Sequence, residues 1–421
     1  MQSAPLPLRA RRTLRLLGPG LAIAATGVGA GDLLAAMVAG ADFGTALIWV
    51  VVAGAALKLA LNEGVARWQL ATGTTLLEGW CRHLGWPFKV YFLVYLVVWS
   101  FIVAGGMASA CGVAAHAVWP APGIAGWGVI HSLTALALVW AGRYGLFENV
   151  MKAMVGLMTL TLLASVLIVG PDLGAVAEGL LPHLPRGSAA ASLSLMGGVG
   201  GSVTLLAYGY WIREKGWTGR AALATVRLDL AVGYLLTGIF GAAMLVLAAV
   251  VLAGGGGMPP GSEALVACGD AIREATGARF GPATGRAAAS LFLAGVWAAV
   301  FTSMLGVWNG VPYLFADFVD GLRGRFGGAV DTRGRTYRAY LLYLALPPLA
   351  LLVLGRPIWV IKLYTLSGGL FMPLLAGSLL WLNARRELVG DLRNRAFATT
   401  TLLIALALFV AIGARQLADL L

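Results

Sequence analysis

Long apolar stretches alternate with short charged loops from one end of the chain to the other, and this pattern constrains the fold more than any other feature. A helix needs about 20 mostly apolar residues to cross a bilayer. Eleven stretches qualify, at 14–40, 44–70, 89–118, 124–142, 146–170, 189–212, 226–254, 285–314, 336–355, 357–383 and 396–418. Facing lipid, each segment must satisfy its own backbone hydrogen bonds, so the expected fold is an all-α polytopic membrane protein with eleven transmembrane helices. Composition agrees, since only 11% of the 421 residues are charged, against about 25% in soluble domains. A soluble enzyme, a disordered chain and a disulfide scaffold are thereby excluded. Cys81, Cys111 and Cys268 form no CxxC or paired pattern, which points away from disulfides and thiolate metal sites.

Arg9, Arg11, Arg12 and Arg15 precede the first stretch in the manner of a signal-peptide n-region. No compact core with a small-residue cleavage site follows, so the segment reads as a retained span. Most of the 30 basic residues then fall on one side if the N-terminus is inside. Arg67, Arg82 and Lys89 lie there, as do the loops carrying Arg213, Lys215, Arg220 and Arg227 and the later loops from Arg323 to Arg395. The positive-inside rule therefore places the N-terminus in the cytoplasm, the C-terminus outside and the chain in the plasma (inner) membrane. This distribution also accounts for the formal charge of +12 without nucleic acid, and no obligate protein partner is evident. The expected organisation is a cytoplasmic segment 1–13, a first five-helix repeat 14–170, an outer loop 171–188, a second repeat 189–383, and a loop with the eleventh helix, 384–421.

Two spans carry glycine clusters near mid-membrane. Span 1 reads Thr26-Gly27-Val28-Gly29-Ala30-Gly31-Asp32, and span 6 reads Gly197-Gly198-Val199-Gly200-Gly201-Ser202-Val203-Thr204. Each interior glycine costs a helix about 1 kcal/mol relative to alanine. A broken helix at that depth must line an enclosed cavity, and breaks in the first span of two successive groups of five mark an inverted-repeat transporter. Close helix packing is the other reading of such clusters. Asp32, ionisable at membrane depth, needs a partner or a wet cavity. It can cap the second half of span 1, contact substrate, or do both, and it is the one candidate for proton coupling.

The chain resembles the Nramp family of proton-coupled divalent metal transporters over nearly its whole length. The resemblance rests on Gly18-Pro19-Gly20, on Ala39-Gly40-Ala41-Asp42-Phe43-Gly44, on the tract from Gly306 to Tyr313 followed by Phe315-Ala316-Asp317-Phe318, and on the eleven-span layout. It implies a LeuT-like fold with an inverted 5+5 repeat and helices 1 and 6 unwound at mid-membrane. The family's Asp-Pro-Gly-Asn metal motif falls on Gly29, Ala30, Gly31 and Asp32, and its Met-Pro-His-Asn motif on Gly201, Ser202, Val203 and Thr204. A second family histidine falls near Tyr208, and Ala104 to Ala117 in span 3 holds no carboxylate. Without the metal-binding Asp and the soft thioether, the resemblance implies a divergent member whose substrate is not a transition metal.

The candidate substrate-binding residues are Thr26, Gly29, Gly31, Asp32, Gly200, Gly201, Ser202, Thr204, Tyr208, Trp308 and Asn309; no metal set and no cofactor is expected. Trp99, Trp211 and Trp297 lie on spans that flank the breaks. Lys58 and Glu63 read as a salt bridge at the cytoplasmic end of span 2. Glu148, Glu214 and Asp229 are expected to pair with Arg143, Arg213 or Arg227, and His116 and His131 to be interfacial. No Walker-A loop or HExxH spacing points to an enzyme. Three readings stand: a secondary transporter of a small polar solute, a divalent metal ion transporter (Mg²⁺, Mn²⁺ or Fe²⁺) with an altered site, and a non-transporting sensor.

Overall fold

A computed structural model of the chain describes residues 18–142, 144–198, 200–252 and 262–418. The basic segment before Gly18, Arg143, and the glycine-rich stretch 253–261 lie outside the described residues. Span 1 consists of α1 (Pro19–Gly27) and α2 (Ala30–Phe43); span 2 is α3 (Ile48–Thr72), with a short α4 (Leu76–His83) after it. Spans 3 to 5 are α5 (Trp86–His116), α6 (Ile124–Trp140) and α7 (Tyr144–Val169), and α8 (Leu173–Glu178) lies in the loop 171–188. Span 6 comprises α9 (Ala189–Gly198), a 3₁₀ turn Val203–Ala207, and α10 (Tyr208–Glu214). Span 7 is α11 (Leu223–Val251), α12 (Ser262–Phe280) is a loop helix, and span 8 is α13 (Pro282–Leu322). Span 9 runs from α14 (Arg335–Ala345) into a 3₁₀ segment, Pro347–Leu354. Span 10 is divided into α15 (Pro357–Gly369) and α16 (Phe371–Leu382), α17 (Arg386–Val389) lies in the following loop, and span 11 is α18 (Ala396–Ala418).

Among the described residues all eleven apolar stretches carry helix, yet only eight helical stretches are long and apolar enough to cross a bilayer, or nine with one sharply bent pair. The difference has local causes. The 3₁₀ turn Gly44–Leu47 joins α2 to α3, so Gly31–Thr72 runs on as one helical stretch. Helix α6 has 17 residues, just short of a full span. The α16 end of span 10 meets α17 at 82°. Proline also shapes this region, because Pro347 and Pro348 lack the amide that would continue α14 as α-helix.

Helices α11 and α13 form the centre of the molecule, α11 packed on α1, α2 and α3 and α13 on α1, α5 and α7. Glycine allows the closest approach. A Cβ on Gly20 would fall 2.1 Å from the Asp229 carbonyl oxygen, and one on Gly233 would fall 2.3 Å from the Gly20 oxygen. Backbones at this separation exclude any side chain larger than hydrogen, the usual basis of tight helix contacts in membranes.

Candidate functional site

The two breaks face each other. A Cβ on Gly27, the last residue of α1, would come within 2.8 Å of the Gly200 carbonyl carbon, and one on Gly201 within 3.4 Å of the Gly27 Cα. Close packing and helix interruption, alternatives in the sequence, therefore occur together. The break in span 1 is two residues long, Val28 and Gly29. Span 6 is interrupted between Gly198 and Val203, where Gly200 and Gly201 take φ of +89° and +81°. Only glycine adopts that conformation without strain.

Asp32 sits in the first turn of α2, where its Oδ2 accepts the Gly29 amide at 2.8 Å. This capping satisfies one of the amides that the break frees. The other oxygen faces span 6, lying 2.8 Å from where a Gly198 Cβ would be. A cavity of about 10 Å³, bounded by Asp32, Val28, Thr237 and Phe240, adjoins it, roughly the room for one water.

The residue that completes this centre is Lys58. Fully buried, it reaches from α3 into the span-6 break, where its Nζ donates to the carbonyl oxygens of Gly197 at 3.2 Å and of Gly201. The ring of Phe409 lies 5.7 Å from the ammonium, within cation–π range. The expected Lys58–Glu63 salt bridge is not formed. Five residues on a helix put side chains about 140° apart, and Glu63 instead holds Arg67 at 3.0 Å and Arg227 at 2.8 Å.

Spans 8 and 10 close the span-1 break from the other side. Ser303 Oγ donates to the Thr26 carbonyl at 2.8 Å, and a Cβ on Gly29 would meet Tyr364 Oη at 2.7 Å. The Thr26 hydroxyl donates to Ala22 within its own helix and packs against Gly306. Thr204 Oγ1 packs over Gly201, and Ser202 Oγ faces Gly368. Gly31 is buried in the first turn of α2. The centre thus gathers Thr26, Gly29, Gly31, Asp32, Gly200, Gly201, Ser202 and Thr204. Lys58, Ser303 and Tyr364 join them without having been singled out as site residues in the sequence.

Tyr208, Trp308 and Asn309 belong elsewhere. Tyr208 Oη donates to Asp229 Oδ2 at 2.9 Å, and the same carboxylate accepts the amides of Gly18 at 3.2 Å and Gly20 at 2.6 Å. Asp229 therefore caps the start of α1, and it pairs with no arginine among the described residues, where the sequence had suggested one. Trp211 Nε1 donates to Asn309 Oδ1 at 3.0 Å. Asn309 lines a cavity of about 100 Å³ with Glu214, Tyr313 and Tyr337. Trp308 is fully buried, and its indole nitrogen has no partner among the described residues.

Among the described residues, other titratable groups have the following partners. Glu148 pairs with Lys152 at 2.6 Å and Lys215 at 2.7 Å, and Glu214 accepts from Tyr313 at 3.0 Å. His131 is buried, accepting from Trp297 at 2.7 Å, while His116 is half-buried and bonds the Pro120 carbonyl. Among the described residues, no three His, Cys, Asp or Glu side chains cluster as a metal-binding group.

The family model for natural resistance-associated macrophage protein-like (Nramp) proteins matches residues 20–419. The divalent metal cation transporter MntH of Staphylococcus aureus (strain JH9) is 28% identical over 179 residues, 41% of this chain. That alignment spans only 39% of the relative's length. A solved manganese transporter mutant from Eremococcus coleocola superposes with a TM-score of 0.80 at 14% identity, covering 100% of this chain and 89% of that one. MhsT in complex with L-phenylalanine matches with a TM-score of 0.60 at 17% identity, over 94% and 97% of the two chains. These solved structures establish a shared transporter-type helical fold, and the family match runs almost from end to end. The chain is an integral, multi-pass membrane protein of the Nramp family.

Proposed function

We propose that this chain is a secondary transporter working by alternating access about its two broken helices, and that its central site takes a small polar solute in place of a transition-metal ion. The supporting observation is Lys58. Carbonyls released by a helix break are the oxygens that would coordinate a cation in such folds. Here an ammonium already engages two of them, beside a single carboxylate that caps a backbone amide. A divalent ion would have to enter next to a fixed positive charge, with one carboxylate and no thioether from the aligned span-6 motif to attract it. A polar solute with its own donors and acceptors meets a balanced pair of charges and a set of hydroxyls. Asp32 is the proton-coupling residue in this scheme, and the charge bias of the loops puts the N-terminus in the cytoplasm.

Transport of a divalent metal is the second reading, and the printed names of the MntH relative and the manganese transporter favour it. Isothermal calorimetry of the purified chain with Mn²⁺ and Mg²⁺ separates the two. The solute reading expects no saturable heat. Micromolar Mn²⁺ binding that Asp32→Asn abolishes establishes the metal reading instead. A thermal-shift screen with amino acids, purines and sugars then identifies the solute for uptake into proteoliposomes, because a ligand bound to the folded state raises the unfolding midpoint.

A further inference from the structure

A large cleft opens between α3, α11 and the start of α18, away from the paired breaks. It encloses about 640 Å³ and continues into a second space of about 650 Å³ under the loop 386–396. Its two walls differ. One is apolar, formed by Leu59, Leu223 and Phe397, all on membrane-spanning helices, and Phe397 is 84% exposed. The other carries Arg220, Arg393 and Arg395.

Positive charge is in excess here. Two carboxylates, Glu63 and Asp391, line the spaces with six arginines. Glu63 is shared by Arg67 and Arg227, and Asp391 by Arg220 at 3.6 Å and Arg386 at 3.9 Å. The described ion pairs leave Arg393 and Arg395 without a carboxylate. Guanidinium groups match the geometry of phosphate oxygens, and a basic pocket between spanning helices is suited to an anionic lipid headgroup.

We propose that this cleft binds an anionic phospholipid, with its phosphate against Arg220, Arg393 and Arg395 and an acyl chain along Leu59, Leu223 and Phe397. The apolar wall distinguishes this occupant from a free anion, which would gain nothing from it. The net positive charge distinguishes it from a zwitterionic lipid, whose ammonium the unpaired arginines would repel. Bound there, the lipid bridges α18 to α3, which carries Lys58, and to α11, which carries Asp229.

The test uses the full chain, delipidated in detergent, with thermal unfolding followed against added dioctanoyl phosphatidylglycerol, dioctanoyl phosphatidylcholine or inorganic phosphate. Phosphatidylglycerol is expected to raise Tm by several degrees in a saturable manner, with little response to the other two. The double substitution R393Q/R395Q is expected to remove that response while the lipid-free Tm stays near wild type. If the double variant folds poorly, Arg220→Gln, measured by native mass spectrometry of the lipid-bound fraction, carries the same expectation of loss. An equal shift with phosphatidylcholine or with phosphate alone overturns the proposal. So does an undiminished phosphatidylglycerol response in the variants.

Discussion

The two helix breaks solve one problem in different ways. In span 1 only Val28 and Gly29 leave the helix, and neutral or nearby groups satisfy the backbone there: Ser303 donates to the Thr26 carbonyl, and Asp32 accepts the Gly29 amide three residues away. In span 6 the interruption is wider, passes through two left-handed glycines, and has its carbonyls held by an ammonium from a distant helix. A short break can be closed locally. A wide one exposes several acceptors at membrane depth, where an unsatisfied polar group costs several kcal/mol, and it draws in a charge.

The largest effect is therefore expected at Lys58. Lys58→Ala should destabilise the protein by about 3–6 kcal/mol, two hydrogen bonds from a charged group at about 1.5–3 kcal/mol each, measured by thermal unfolding in detergent. The vacated space should accept ethylammonium, and millimolar amounts of it should restore part of the lost Tm. A variant as stable as wild type would mean that span 6 does not depend on the ammonium. Next comes Gly201→Ala, where a left-handed φ and a Cβ 2.8 Å from Thr204 Oγ1 should cost about 1–3 kcal/mol. No loss there would show that the span-6 backbone relaxes freely and would erase its contrast with span 1. Ser303→Ala removes one hydroxyl from the Thr26 carbonyl and should cost about 1 kcal/mol; a larger loss would make the two breaks energetically alike. The smallest effect on stability is expected for Asp32→Asn, which keeps an acceptor for the Gly29 amide and should change unfolding by less than about 1 kcal/mol. Uptake into proteoliposomes driven by a pH gradient should nevertheless fall by at least about tenfold, a loss of about 1.4 kcal/mol in the driven step. Unchanged uptake would leave Asp32 as a cap and nothing more.

Much of this architecture can be read from the chain. Apolar length locates the helical stretches, and glycine clusters mark both interruptions, because lipid and backbone geometry act on local sequence. The partner of Lys58 is a different matter. Its acceptors are main-chain oxygens near residue 200, and every residue has such an oxygen, so no side-chain pattern announces them. One sign was present: Gly54, Ala55, Leu61 and Asn62, the neighbours one helical turn away, include no carboxylate. A lysine so placed in an apolar helix has to find its partner on another one. Tyr208 and Asp229 were both named from the sequence, but their association escaped for a similar reason, since the amides of Gly18 and Gly20 that complete their cluster carry no sequence signature either.

That cluster has a consequence for motion. Asp229 grips the leading end of α1 and the tyrosine that begins α10 with one side chain, so the two half-helices share a single fastener on α11. Neither can swing away on its own without stripping the carboxylate of part of its coordination. In the alternating-access scheme proposed above, opening on this face would then be one concerted event, a door with two leaves on a common latch.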